Sequence, residues 1–181
     1  MMIEIPVTYK MRETAKEMAD DMGQLNNSIR QGEGNVYGFL GELVFADLTG
    51  AHHNNTYDWD VEMPHGPTVD VKTKCVTSPP RNYYDCSVAA IGTNQNCDYY
   101  AFVRVLKDQT TAWYLGSMTK QTFLSQSRLL KAGVVDGDNG WAPTIDCYNV
   151  KISDLHFNKE DPASLPPLPL SAILVDGGAK A

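Results

Sequence analysis

Met11, Ala15, Met18, Ala19 and Met22 recur at three- and four-residue spacing across residues 8–22, with charged residues between them and Gly23 after them. An apolar stripe of that period marks an amphipathic helix, and the glycine supplies its stop. After a flexible turn, QGEGN (31–35), the positions Val36, Tyr37, Phe39, Leu40, Leu43, Val44, Phe45 and Leu48 are apolar nearly all the way round. Such a helix buries most of its circumference, so a second, more deeply packed helix is expected to end by Gly50. From Tyr57 the period drops to two, and YDWDVEMPHGPTVDVKTKCV reads as two strands joined by a tight turn around residues 64–67. Three more strands are expected over 85–90, 99–105 and 111–116, with a polar turn at 107–109. A short helix over 119–127, N-capped by Thr119, and a last strand over 147–152 complete the pattern.

Beyond Asp154 the chain turns proline-rich, with PASLPPLPL (162–170), a short apolar piece and a small-residue end, DGGAKA. Residues 156–181 therefore read as an extended tail that wraps the domain or docks on another copy, making a homo-oligomer. Residues 1–155 read as one domain, because 181 residues with 43% hydrophobic content suffice for a single core. Helix, strands, helix, strand is the order of a mixed α/β or α+β domain around a central sheet.

No run is long enough for a membrane span, and MMIEIPVTYK lacks the layout of a secretion signal, so no membrane partner and a cytoplasmic location are expected. Cys75, Cys86, Cys97 and Cys147 lack the close pairing of zinc ligands, and a reducing compartment favours ordinary thiols over disulfides. An iron–sulfur cluster held by all four is the lesser reading. A net charge of −7 excludes a protein that coats nucleic acid through a broad basic surface. It does not exclude an enzyme acting on nucleic acid, because carboxylates that hold a metal ion add to the negative count.

Within VDVKTK (69–74), alternation places Asp70, Lys72 and Lys74 on one strand face and Val69, Val71 and Thr73 on the other. By the same rule Asp58, Asp60 and Glu62 share a face of the preceding strand, and hairpin pairing brings that face beside Asp70. Like charges at that density repel unless a cation resolves them. Mg2+ or Mn2+ fits: such an ion takes one or two carboxylates and keeps its other positions for water and phosphate. Lys72 would then orient the attacking water or stabilise the phosphate. On the second helix Gly38 and Gly41 permit close approach to the sheet, and Glu42 is an acid on an apolar element whose expected neighbour is a metal or a lysine.

A helix with G-x-x-G-E, then Tyr57-Asp58-Trp59-Asp60, then Val69-Asp70-Val71-Lys72, resembles the PD-(D/E)XK nuclease superfamily over residues 36–105, and small phage and bacterial members in particular. The resemblance implies a restriction-endonuclease-like αβββαβ core, a central mixed sheet flanked by helices, here with an extra N-terminal helix. It implies a Mg2+- or Mn2+-dependent endo- or exonuclease that hydrolyses phosphodiester bonds, with DNA as partner, in the host cytoplasm if the chain is phage-encoded. Glu42 matches the helix acid, Asp70 and Lys72 the acid-x-Lys pair, and Asp60 or Asp58 the hairpin acid, with Asp60 favoured as nearer Asp70. The metal set is then Glu42, Asp58, Asp60 and Asp70. One departure stands out: no proline precedes Asp58 or Asp60.

Lys74, Arg81 and Tyr83 are candidate substrate contacts, since cationic and aromatic groups serve phosphates and bases. His52, His53, His65 and His156 read as polar loop residues outside the site, and Tyr99, Tyr100, Phe102 and Trp113 as core. The competing function is a non-catalytic phage or host interaction protein that keeps the nuclease fold and docks through its PPLPL segment.

Overall fold

Alternation along the central strands sorts the apolar side chains onto two faces of one sheet. The computed structural model describes residues 2–22, 35–54, 56–64, 66–156 and the backbone of 173–175. Its helices are α1 (Tyr9–Met22), α2 (Asn35–Thr49) and α3 (Lys120–Gln126). Its strands are β1 (Met2–Pro6), β2 (His52–His53), β3 (Val61–Glu62), β4 (Thr68–Val76), β5 (Asp85–Ala89), β6 (Tyr99–Leu106), β7 (Thr111–Thr119), β8 (Arg128–Leu130), β9 (Cys147–Lys151) and β10 (Ile173–Val175). Seven of them form a mixed sheet in the order β10-β1-β7-β6-β4-β3-β2, in which β4 and β6 run parallel and the other pairs antiparallel. The remaining three form an antiparallel sheet, β5-β9-β8.

On one face Val69, Val71, Ala101, Val103 and Tyr114 pack with Phe39, Leu40, Val44 and Phe45 of α2 and with Ala15 of α1. The intervening residues Tyr100, Phe102, Trp113 and Leu115 point the other way, onto Phe123 of α3 and onto Cys86, Val88 and Val150 of the small sheet. The result is three layers, helices over the main sheet over the small sheet, each interface made by period-two residues that avoid water. No helix among the described residues is long and apolar enough to cross a membrane.

Gly41 sets how closely α2 lies on β4: a Cβ built there would stand 1.9 Å from Thr73 Oγ1. The expectation of a similar role for Gly38 is corrected, because a Cβ there meets nothing within 4 Å. The β3–β4 turn closes through Gly66 N–H to Met63 O at 2.9 Å, with Gly66 at φ 103°, a conformation that favours glycine. Thr119 caps α3 as its sequence suggests, its Oγ1 accepting from Thr122 N–H at 3.1 Å.

Four strands were not visible in the periodicity. β1, β2 and β8 span five, two and three residues, and β10 lies in the segment expected to be an extended tail that wraps the domain or docks on another copy. It pairs with β1 in the register Met2↔Val175, Ile3↔Leu174 and Glu4↔Ile173, so that part of the tail belongs to the main sheet. The PASLPPLPL run, the QGEG turn (31–34) and His65 lie outside the described residues. The first hairpin strand is also shorter than expected. Only Val61 and Glu62 pair as strand, so Asp58 and Asp60 sit in the bend before it and share no strand face.

Candidate active site

Asp70 and Lys72 leave β4 on the side away from α2, beside Tyr100 and Phe102 of the parallel neighbour β6. Asp70 is 3% exposed, and its Oδ2 lies 2.6 Å from Lys72 Nζ. That oxygen accepts no well-directed hydrogen bond, so its charge is met by the ammonium alone. Lys72 also reaches Gln95 Oε1 at 3.4 Å and sits 6.0 Å from the centre of the Tyr100 ring.

Asp60 is pinned to the same strand from the other side. Its N–H donates to Val69 O at 3.1 Å, and its Oδ2 accepts from Val71 N–H at 2.7 Å. Burial, followed by the nearby carboxylates of Glu42 and Asp70, pushes its pKa up to about 9, against the opposing pull of the Val71 N–H and the Lys72 ammonium. Glu42 on α2 and Asp70 on β4 therefore both act on Asp60 in the bend, which keeps its proton at neutral pH.

Glu42 is buried on α2, where Gly41 brings the helix onto the sheet. Its partner is neither of the neighbours expected from the sequence: His53 Nε2 lies 2.7 Å from Glu42 Oε2. His53 belongs to β2, which pairs with β3, so the histidine read as a loop residue is fixed at the edge of the cluster. Asp58 is occupied elsewhere, its Oδ1 accepting from Asn96 N–H at 2.9 Å, and it is not brought to the Glu42–Asp60–Asp70 group. His156 is exposed and bridges Ser117.

Two clefts adjoin the cluster on the small-sheet side. One of 320 Å³ starts at Lys72, and one of 600 Å³ extends past Tyr83 and Tyr84; Lys74, Arg104 and Trp141 line both. Lys74 Nζ lies 5.8 Å from the centre of the Trp141 ring, and Tyr83 packs edge-on against Tyr84. Of the three substrate contacts expected, Lys74 and Tyr83 face this groove, whereas Arg81 is exposed and lines neither cleft. Gln95, Arg104 and Trp141 escaped the sequence reading because no spacing ties them to the acids. His53 escaped it too, because β2 is two residues long and carries no legible alternation.

All four cysteines are free thiols, with Cys86, Cys97 and Cys147 buried. Burial pushes Cys86 and Cys97 up to about 11, which keeps them protonated and poorly nucleophilic. Among the described residues no three Asp, Glu, His or Cys side chains are gathered as a metal-holding group. Asp60 and Asp70 nevertheless offer the one or two carboxylates that Mg2+ ordinarily takes, with the Lys72 ammonium, 2.6 Å from Asp70 Oδ2, as the cation already facing that oxygen. Set against known proteins, the chain matches no family model and no curated sequence.

Proposed function

We propose that the protein is a divalent-metal-dependent nuclease that hydrolyses nucleic-acid phosphodiester bonds, DNA foremost, at the Asp60–Asp70–Lys72 site. One observation carries the reading. A buried carboxyl, Asp60, is held by backbone hydrogen bonds where the charges of Glu42 and Asp70 oppose its ionisation. A fold that served stability alone would not keep that conflict, because repelling buried acids cost free energy that an apolar replacement would recover.

Asp60 and Asp70 are the residues that would hold Mg2+ or Mn2+, with Glu42 behind them and tied to His53. Bound there, the ion would supply an activated water and neutralise charge on the phosphate. The chain's own contribution is positional. Asp70 holds the Lys72 ammonium at 2.6 Å, Gln95 bounds it on the far side, and the ammonium is thereby placed to meet charge developing on a phosphate oxygen. Gln95 is itself anchored, its Nε2 donating to Tyr57 O at 2.7 Å.

The order of the acids supports a restriction-endonuclease-like core: Glu42 on α2, Asp60 before β3, and Asp70 with Lys72 two residues apart on β4. Asp60, in this reading, is the hairpin acid, and Asp58 is a capping residue. The test is cleavage of plasmid and linear DNA by purified protein with Mg2+ or Mn2+, alongside Mn2+ binding followed by electron paramagnetic resonance. Asp70→Ala and Lys72→Ala are expected to abolish cleavage while leaving the circular dichroism spectrum intact, and Asp70→Ala to abolish ion binding. Cleavage that survives both substitutions, or no ion uptake by the wild type, overturns the reading.

A further inference from the structure

We infer that the groove leading away from Lys72 is a track for a single strand of nucleic acid, with Trp141 stacking an unpaired base and Lys74 and Arg104 facing its phosphates. The inference rests on the nuclease reading for its choice of ligand and goes beyond it in naming the strand state and the residues that select it.

Trp141 is 47% exposed, yet the loop that carries it is tied down. The Arg128 guanidinium donates to both oxygens of the buried Asp136, at 2.7 and 2.8 Å, and to Asp85 at 3.0 Å. Asn139 Nδ2 donates to the same Asp85 at 3.1 Å while its own Oδ1 accepts from Trp141 N–H, and Trp141 O accepts from Asp136 N–H. An indole held open to water by that many restraints is a built surface, and a planar aromatic beside cations is what a base needs.

Arg104 strengthens the case. It is 5% exposed, donates to the Asp85 backbone carbonyl, and among the described residues forms no ion pair, although it lines the groove throughout. A buried guanidinium that, among the described residues, hydrogen-bonds only the Asp85 carbonyl and the Cys86 thiol and makes no ion pair within 4 Å is complementary to an anion, and its planar fork suits a phosphate. Of the acids in the groove, Asp138 lies 3.3 Å from Lys151, and Asp85 Oδ2 is held by Arg128 while its Oδ1 is buried without a hydrogen-bond partner. Duplex bases are stacked on one another and closed to an indole, whereas an unpaired base presents its face, so a single strand is the occupant the groove fits.

The test is fluorescence anisotropy of a labelled oligothymidylate with full-length protein in EDTA, where no cleavage interferes, together with quenching of tryptophan emission. Trp141→Ala is expected to weaken single-strand binding about 10-fold or more, Trp141→Phe to retain most of it, and a duplex of equal length to bind more weakly and ignore both changes. Lys74→Ala is expected to reduce the salt slope by about one. Unchanged binding by Trp141→Ala, or a duplex bound as tightly as the single strand, overturns the inference. Single-strand binding without metal-dependent cleavage would sink the nuclease reading and leave the track standing; cleavage with binding indifferent to Trp141 would do the reverse.

Discussion

Asp60→Asn isolates the acid conflict at the centre of the site. In the folded protein the Asp60 carboxyl holds its proton up to about pH 9, whereas in the unfolded chain it releases it near 3.8. Between those values the native state binds one more proton than the unfolded state, so the contribution of this group to stability falls as pH rises and is fully lost above the folded value. The slope approaches about 1.4 kcal/mol per pH unit, which makes the loss between about pH 6 and about pH 8 up to about 3 kcal/mol. For a chain of this length that is a fall of roughly 6–12 °C in melting temperature. An amide carries no charge at either pH, so Asp60→Asn should lack this fall and be the more stable protein at the upper pH in EDTA. Adding Mg2+ or Mn2+ should reverse the order, stabilising the wild type and not the variant. The measurement is thermal melting by circular dichroism across pH, with and without metal. Parallel pH profiles for the two proteins, or equal stabilisation of both by the ion, would refute the reasoning.

Three further substitutions test the scaffold in equilibrium urea unfolding. Gly38→Ala should stabilise by about 0.5–1 kcal/mol, because the position opens onto space and alanine is the better helix former, whereas Gly41→Ala should destabilise by about 1–3 kcal/mol as Thr73 and α2 are forced apart; equal effects at the two sites would contradict the packing described. Arg128→Met should cost about 1.5–3 kcal/mol by stranding the buried Asp136, whose pKa the guanidinium holds down at about 2, and should alter Trp141 emission as its loop loosens; unchanged stability and an unchanged spectrum would show the loop is held by other means.

Local pattern was enough for much of this protein. The 3.6 period gave α1 and α2, and the two-residue period gave β4 with Asp70 and Lys72 on one face, since these depend only on neighbours within a few residues. Thr119 capped α3 for the same reason: a cap needs a hydroxyl and an N–H three residues on. What the pattern left out were choices made by residues far apart. Asp58 and Asp60 are equivalent by alternation, and only the register of Val61 against Val69 decides that Asp60 meets Val71 N–H while Asp58 caps Asn96. His53 was assigned to a loop because two residues carry no legible period, and β2 exists through its pairing with β3. The strand in the tail, β10, is likewise fixed by an edge that β1 offers it from the opposite end of the chain.

The sequence by itself determined which residue types the protein has for its chemistry and, on α1, α2 and β4, which face bears them, because in a long regular element side-chain direction follows from backbone period. Only the tertiary structure decided which acids confront one another, which histidine answers Glu42, and that Trp141 stands over the groove. Those outcomes depend on the strand register, the Gly41 contact and the Arg128–Asp136 tie, and each joins segments whose separation along the chain leaves no periodic trace.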